Sequence, residues 1–239
     1  RTNIDFMLPV GGKVIMTTST VPSEGKTTCA LNIALSFAIT GKRVIIVDMD
    51  MRKGSMEKRI GSTHYPQGIV NYLVGKESDL DKLIVKNCVH GVDALFVGTI
   101  PPNPAELLSR DNLGYAIKYL SEAYDYIILD TAPVALVADT LIISRVADAS
   151  VYICRSDYTA KSALKLVNSL YAENKMSNMS IVLNGVDMTK PKYEYYYGAK
   201  GYGRYGYGRY GYGRYGYGRY GYGRYTSYGY NENPAKKKK

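Results

Sequence analysis

The chain has 239 residues and a formal net charge of +10. Such an excess ordinarily indicates binding to nucleic acid or to an anionic membrane surface, but much of it lies in the C-terminal segment. Three cysteines without metal-ligand spacing argue against a disulfide scaffold and a cysteine metal site. No apolar run approaches the roughly 18 residues of a membrane span, and no signal peptide is visible. Because the chain opens at Arg1 rather than at methionine, we expect it to be a fragment.

The composition divides the chain into two parts. Residues 1–189 alternate apolar runs with polar, helix-like stretches, which predicts one globular domain large enough to bury a core. Residues 190–239 are dominated by Tyr, Gly and Arg and end in four lysines. We therefore expect a folded domain followed by a low-complexity tail.

The folded part shows repeated strand–loop–helix units. The predicted strands are residues 13–17, 43–48, 95–97, 126–130, 150–154 and 180–183, and the predicted helices are residues 27–39 and 160–174. Uninterrupted Val/Ile/Leu strands that alternate with helices predict an α/β fold with a mostly parallel central sheet and helices on both faces. In such sheets ligands bind beyond the carboxyl ends of the strands.

Residues 19–28 follow the first predicted strand and open the first predicted helix. Unpaired N–H groups at a helix N-terminus form an anion site. Lys26 would reach the β- and γ-phosphates of a nucleotide, and Thr27 would place its hydroxyl on Mg²⁺. Thr20 stands where the usual phosphate-loop pattern has glycine. The predicted nucleotide-binding residues are Pro22, Ser23, Glu24, Gly25, Lys26, Thr27 and Thr28.

Two predicted strands end in carboxylates. Asp48 and Asp50 end residues 44–50, and Asp130 ends the strand at 126–130. Such residues taken singly often only cap a loop or a helix. Three of them at the edge that carries the phosphate loop predict a magnesium–nucleotide site, since Mg²⁺ prefers oxygen ligands beside substrate phosphates.

Residues 19–28, 44–52 and 127–133 resemble the Walker A, Walker A′ and Walker B motifs of the bacterial tyrosine kinases, a family that regulates capsule and exopolysaccharide export. Residues 98–108 resemble a further hallmark segment of that family. The resemblance implies a P-loop NTPase architecture of the MinD type. Two departures stand out: Arg52, Lys53 and Gly54 replace a frequent Arg/Lys-Pro sequence, and only Arg1 is present of an upstream Glu/Arg oligomerisation motif.

The resemblance also implies cofactors and roles. ATP and Mg²⁺ are the implied cofactors, with Thr27, Asp48 and Asp130 as metal-site residues. The implied catalytic residues are Lys26, Asp48, Asp50 and Asp130, and Asp48 is the candidate that orients or deprotonates the tyrosine hydroxyl. Asn184 is similar in position to an adenine-contacting asparagine of related ATPases.

The tail contains five Gly-Tyr-Gly-Arg-Tyr repeats in residues 201–225. Frequent glycine and the absence of aliphatic side chains predict disorder. Such repeats can also bind RNA by stacking and phosphate contacts, but beside a phosphotransferase domain we favour an array of phosphate acceptors. The predicted acceptors are Tyr193, Tyr195, Tyr196, Tyr197, Tyr202, Tyr205, Tyr207, Tyr210, Tyr212, Tyr215, Tyr217, Tyr220, Tyr222, Tyr225, Tyr228 and Tyr230.

The resemblance and the tail together predict how the protein works in the cell. We expect transfer between subunits of a homo-oligomer, a ring in the intact protein, with the basic tail seated in a neighbour's acidic active-site mouth until phosphate repels it. The family implies a transmembrane activating domain, fused upstream or on a separate chain, and a cognate tyrosine phosphatase. We expect a soluble fragment from a protein at the cytoplasmic face of the inner membrane, without a nucleic-acid partner.

Two alternatives remain open. Regulatory ATPases of the cell-division or partition type share the expected fold, but they carry a signature lysine five residues before the catalytic one, where this chain has Val21. The chain could instead be a nucleotide-gated binding module whose tail contacts RNA or anionic lipid. Phosphotyrosine mass spectrometry after incubation with ATP and Mg²⁺ distinguishes these alternatives from a kinase.

Overall fold

A computed structural model of the chain describes residues 2–54, 56–61, 64–187 and 189. The predicted tail and its acceptor tyrosines lie outside these residues, so the proposed division at residue 189 stays a prediction. Within the described residues, no helix is both long enough and apolar enough to cross a lipid bilayer.

The described strands form one seven-stranded sheet in the order β3-β4-β2-β5-β1-β6-β7. The strands are β1 (Val14–Ser19), β2 (Val44–Asp48), β3 (Val85–Val89), β4 (Val92–Leu95), β5 (Tyr126–Asp130), β6 (Ala149–Arg155) and β7 (Met179–Asn184). All pairings are parallel except the antiparallel pair of β3 and β4. The predicted mostly parallel sheet is confirmed.

Helices pack on both faces of this sheet. They are α1 (Thr2–Asp5), α2 (Lys26–Ala38), α3 (Met56–Ile60), α4 (Ile69–Leu73), α5 (Pro104–Leu108), α6 (Asn112–Ala123), α7 (Asp139–Ile143) and α8 (Ala163–Ala172). Successive strand residues point to opposite faces, so Ile15 belongs to the hydrophobic core under α2 and Met16 to the core under α6. Phe37 of α2 and Leu120 of α6 are both buried in these cores.

The helices cover the two faces of the sheet and leave the carboxyl ends of its central strands accessible. β1 lies between β5 and β6, and β5 lies between β1 and β2. The loop after β1 and the ends of β2 and β5 therefore meet at one place. Asp48 and Asp130 are direct register partners there.

The structure differs from the predicted elements in several places, including β3, β4 and α8. The predicted strand 95–97 is observed as β4, which begins earlier and ends at Leu95, because residues 96–98 turn away toward α4. The antiparallel edge strand β3 escaped prediction, since its sequence is half polar and Asn87 interrupts it with a φ of 46°. The second predicted helix is shorter than expected and is α8.

Candidate nucleotide site

The loop between β1 and α2 is shaped by residues in left-handed backbone conformations. Gly25, directly before α2, has φ 98°, and Ser23 has φ 67°. A Cβ atom at Gly25 would lie 2.2 Å from Asn184 Nδ2. Only glycine fits this position without displacing the asparagine, so the loop passes directly against Asn184.

A buried carboxylate holds the loop from inside. Glu24 is fully buried and accepts hydrogen bonds from the Val21 N–H, at 2.8 Å, and from the Thr159 hydroxyl. Asn184 Nδ2 donates to the Glu24 carbonyl at 2.9 Å. The predicted nucleotide-binding residues Glu24 and Asn184 thus support the loop from behind, and an adenine contact by Asn184 stays a prediction.

The end of β6 and the segment after it form hydrogen bonds with the outer side of the same loop. Arg155 Nη1 donates to the Ser23 carbonyl at 2.9 Å, and the Tyr158 hydroxyl donates to the Pro22 carbonyl at 3.2 Å. Arg155 also lies over the Tyr158 ring, 5.3 Å from its centroid. The loop is therefore fixed before any ligand arrives, which reduces the entropy that binding has to overcome.

The three predicted carboxylates converge at the ends of β2 and β5. Asp48 Oδ1 accepts a hydrogen bond from the Asp50 N–H at 3.1 Å, and its Oδ2 accepts one from the Met56 N–H at 3.4 Å. Asp50 in turn accepts from the Arg52 N–H, so its carboxylate caps the turn after β2. Asp130 lies beside Asp48 and is completely enclosed.

Burial dominates the electrostatics of these acids. It raises the pKa of Asp48 well above its usual range, with the charge of Asp130 as the next cause. Burial likewise raises the pKa of Asp130 to about 6, although the Thr27 hydroxyl and the Lys26 ammonium oppose the shift. Oδ1 of Asp130 has no hydrogen-bond partner among the described residues. A bound cation would satisfy this oxygen and offset the repulsion between the acids.

These features fit magnesium and a nucleotide. Mg²⁺ needs only one or two protein carboxylates when phosphates and water complete its shell, and Asp48, Asp130 and the Thr27 hydroxyl are the groups that could supply such ligands. The described residues contain no group of three or more acidic, His or Cys side chains placed to hold a metal by themselves.

A cavity of about 270 Å³ opens at this edge. Its walls include Gly25, Lys26, Thr27 and Asp50, together with Pro22 and Ser23. Thr28, also predicted to bind nucleotide, lies in the first turn of α2 outside the walls, while Asp48 and Asp130 lie beneath them.

The charge of this cavity corrects one expectation. Besides Lys26, its walls carry Arg52, Lys53 and Arg59, whereas Asp50 is their one acidic residue within the described chain. The prediction of an acidic mouth is wrong, because the acids of this site are buried below the cavity. A cationic wall suits a polyphosphate ligand.

An ion pair that the sequence did not reveal ties this wall to α7. Arg52 donates through Nε and Nη2 to the Asp139 carboxylate at 2.8 and 3.1 Å. Asp139 is buried, whereas Arg52 is half-exposed at the cavity. The bidentate contact fixes the turn after β2 across the site.

The fold and the site define a P-loop nucleotide-binding protein. A family model described as an AAA domain matches residues 12–183. The septum site-determining protein MinD from Pyrococcus horikoshii, solved with Mg-ADP, shares the fold with a TM-score of 0.60 at 18% identity, over 72% of this chain and 69% of that one.

Similarity to individual known proteins defines the class of this P-loop protein more closely. The chain is 35% identical to the tyrosine-protein kinase YwqD of Bacillus subtilis over 84% of both chains. It is 30% identical to the tyrosine-protein kinase wzc of Salmonella typhimurium over 82% of this chain but 27% of the relative. The kinase domain of the Escherichia coli tyrosine kinase ETK superposes with a TM-score of 0.73 at 29% identity, over 80% of this chain and 74% of that one. The chain belongs to the bacterial tyrosine-protein kinases.

Proposed function

We propose that this chain transfers the γ-phosphoryl group of ATP to tyrosines of its own C-terminal tail. The observation that carries the proposal is the meeting of the phosphate loop, Lys26 and a buried pair of carboxylates at one sheet edge. Similarity to tyrosine-protein kinases supports the reaction class. The tail supplies a dense array of phenols on the same chain.

Different residues of the site would bind the phosphates and the metal ion. The N–H groups that begin α2 and the Lys26 ammonium would hold the β- and γ-phosphates. Thr27, Asp48 and Asp130 would hold Mg²⁺, which when bound supplies neutralisation of charge on the phosphate oxygens. Arg52, Lys53 and Arg59 add positive charge on the cavity wall.

Proton transfer would complete the reaction. The phenolic oxygen forms a bond to the γ-phosphorus, the bond from that phosphorus to the bridging oxygen of ADP breaks, and the phenolic proton passes to a carboxylate. Asp48 is our candidate acceptor, because it ends β2 at the sheet edge that carries the phosphate loop. Positioning and charge neutralisation supply most of the rate in such transfers.

The wider role follows from the relatives. We propose that the chain works in a homo-oligomer. We also propose that it acts with a membrane-embedded activating domain, because it matches only 26% of a putative Klebsiella pneumoniae kinase from a cps region and 27% of the Salmonella typhimurium relative. Regulation of exopolysaccharide or capsule polymerisation and export is the role we propose for it. A tyrosine phosphatase would reset the tail.

Incubation of the full chain with ATP and Mg²⁺, followed by phosphotyrosine mass spectrometry, tests the reaction. We expect phosphate on tail tyrosines and none in the Lys26→Met variant. ATP hydrolysis without any phosphotyrosine would contradict the proposal and favour a regulatory ATPase instead.

A further inference from the structure

A second cleft adjoins the nucleotide cavity. It has a volume of about 440 Å³, and Lys53 borders both spaces. Asp48 contributes to its lining, while Val97 and the half-exposed Ile100 give it an apolar wall. We call it the acceptor cleft. Its size is within the range of small-molecule sites, and a phenol that entered it would have the candidate proton acceptor beside it.

The acceptor cleft is lined by two lysines and by two acids, Glu57 and the buried Asp48. Lys53 and Lys58 line it, and neither forms an ion pair within the described part of the chain. The acid between them in sequence, Glu57, is already engaged: its Oε2 lies 3.0 Å from His64 Nδ1, and its Oε1 accepts from the Tyr65 N–H at 3.1 Å. A substrate segment that brings its own carboxylate would match these lysines.

The tail offers at least three kinds of tyrosine to such a cleft. Glu194 lies between Tyr193 and Tyr195, so both have an acid as direct neighbour, although Tyr193 also follows Lys192. In each repeat one tyrosine directly follows an arginine, as Tyr205 follows Arg204, and the other lies between two glycines. The lysine-lined cleft attracts the first kind and repels the second.

We propose that the acceptor cleft selects tyrosines flanked by an acidic residue, so that the tyrosines beside Glu194 are phosphorylated before those of the arginine repeats. This inference rests on the proposed kinase activity. It adds to that activity a preference of the same site for one kind of tyrosine. Each new phosphate adds about −1.5 to −2 charges. A phosphate on Tyr195 therefore makes Tyr196 acid-flanked, and one on Tyr196 does the same for Tyr197, so modification spreads through residues 195–197 first.

The test measures where the first phosphates appear on the full chain. Trypsin cuts after Lys192 and Lys200, which separates residues 193–200 from the repeat peptides. The readout is the phosphate in residues 193–200 divided by that in the repeats at short times with ATP and Mg²⁺. This ratio is independent of the overall rate, so a variant that slows catalysis remains informative.

Reversing one charge of the pair should lower the ratio, and reversing both charges should restore it. We expect it to fall about fivefold in Glu194→Arg and in Lys58→Glu, the size typical of exposed charge pairs, and to recover in the double variant. Glu194→Arg adds a tryptic cut after residue 194, so for this residue change the phosphate of peptides 193–194 and 195–200 is summed. Lys118→Glu on α6, whose lysine lines neither space, is the matched control and should leave the ratio unchanged. High salt should weaken the preference.

Residues 193–197 are also closer in sequence to the folded domain than the repeats are. One further variant distinguishes selection by charge from this closeness. Arg204→Glu removes a tryptic site and gives a unique peptide, residues 201–209, in which Tyr205 follows an acid. Early phosphate in that peptide supports selection by charge. Phosphotyrosine whose distribution ignores every charge reversal overturns the inference and leaves the kinase intact. The absence of phosphotyrosine from the unaltered chain overturns the proposed function itself.

Discussion

At the residue scale, the phosphate loop depends on one glycine. Gly25 combines a left-handed backbone with close approach to Asn184. In Gly25→Ala the new Cβ would displace the Asn184 amide from the Glu24 carbonyl, and a lost buried hydrogen bond costs about 1–3 kcal/mol. We expect ATP affinity to fall about tenfold, the change that about 1.4 kcal/mol produces, in a titration with a fluorescent ATP analogue.

Gly41→Ala is the matched control for this variant. Gly41 also has a left-handed backbone, with φ 78°, but nothing lies within 4 Å of a Cβ built there. It should lower the free energy of unfolding by about 1–2 kcal/mol through backbone strain while leaving ATP affinity unchanged. Equal effects of the two alanines on ATP binding would rule out the close approach as the cause.

The pair of Arg52 and Asp139 makes a second prediction at this scale. Lysine cannot reproduce the bidentate contact, so Arg52→Lys leaves a buried carboxylate with fewer donors. We expect a loss of about 1–2 kcal/mol in urea unfolding. Arg110→Lys, which alters an exposed pair with Glu106, should cost less than about 0.5 kcal/mol. A smaller loss for Arg52→Lys than for Arg110→Lys would contradict the structure.

Local motifs were the predictable part of the site. Lys26, Thr27 and the strand-end acids Asp48 and Asp130 follow from short patterns, because strand and helix neighbours fix their positions. The partnership of Arg52 with Asp139 joins residues 87 apart in sequence. Nothing local marks such a pair, and the same holds for Thr159, which reaches Glu24 from the segment after β6.

At the scale of elements, an ion pair links the starts of β2 and β5. Asp125 accepts from the Arg43 side chain and from its backbone N–H, and these hydrogen bonds lower the pKa of Asp125 to about 2. A depressed carboxylate pKa stabilises the fold above the unfolded pKa of 3.8, and this contribution is lost as the pH falls toward about 2.

Asp125→Asn tests this linkage. The pair is largely exposed, so the variant should lose less than about 1 kcal/mol of unfolding free energy at neutral pH. The difference from the unaltered chain should shrink between about pH 4 and pH 2, as measured by urea unfolding at each pH. A difference that stays constant over this range would show that the charge of Asp125 contributes nothing.

Buried parallel strands were predictable as elements, whereas the antiparallel edge strand β3 was not. Residues 126–130 form a strand within the predicted bounds, because both faces of β5 are covered and the sequence is continuously apolar. β3 is paired on one side only and carries Lys86 and Asn87. Its strand conformation comes from pairing with β4 rather than from its own sequence pattern.

At the scale of the whole molecule, the folded domain and the tail should be separable. A chain without residues 190–239 lacks all the predicted acceptors but keeps the described site. Mixed with a full-length Lys26→Met chain, ATP and Mg²⁺, it should phosphorylate the tail of the inactive chain, which phosphotyrosine mass spectrometry detects. An unmodified tail would show that transfer does not occur between chains.

The central claim is that the γ-phosphate of ATP ends on tyrosine rather than in solution. The most direct measurement counts phosphotyrosine formed per ADP released by the full chain during the first turnovers. We expect phosphotyrosine to account for most of the ADP, and both products to disappear in Lys26→Met. ADP released together with an equal amount of inorganic phosphate, and without phosphotyrosine, would contradict the claim.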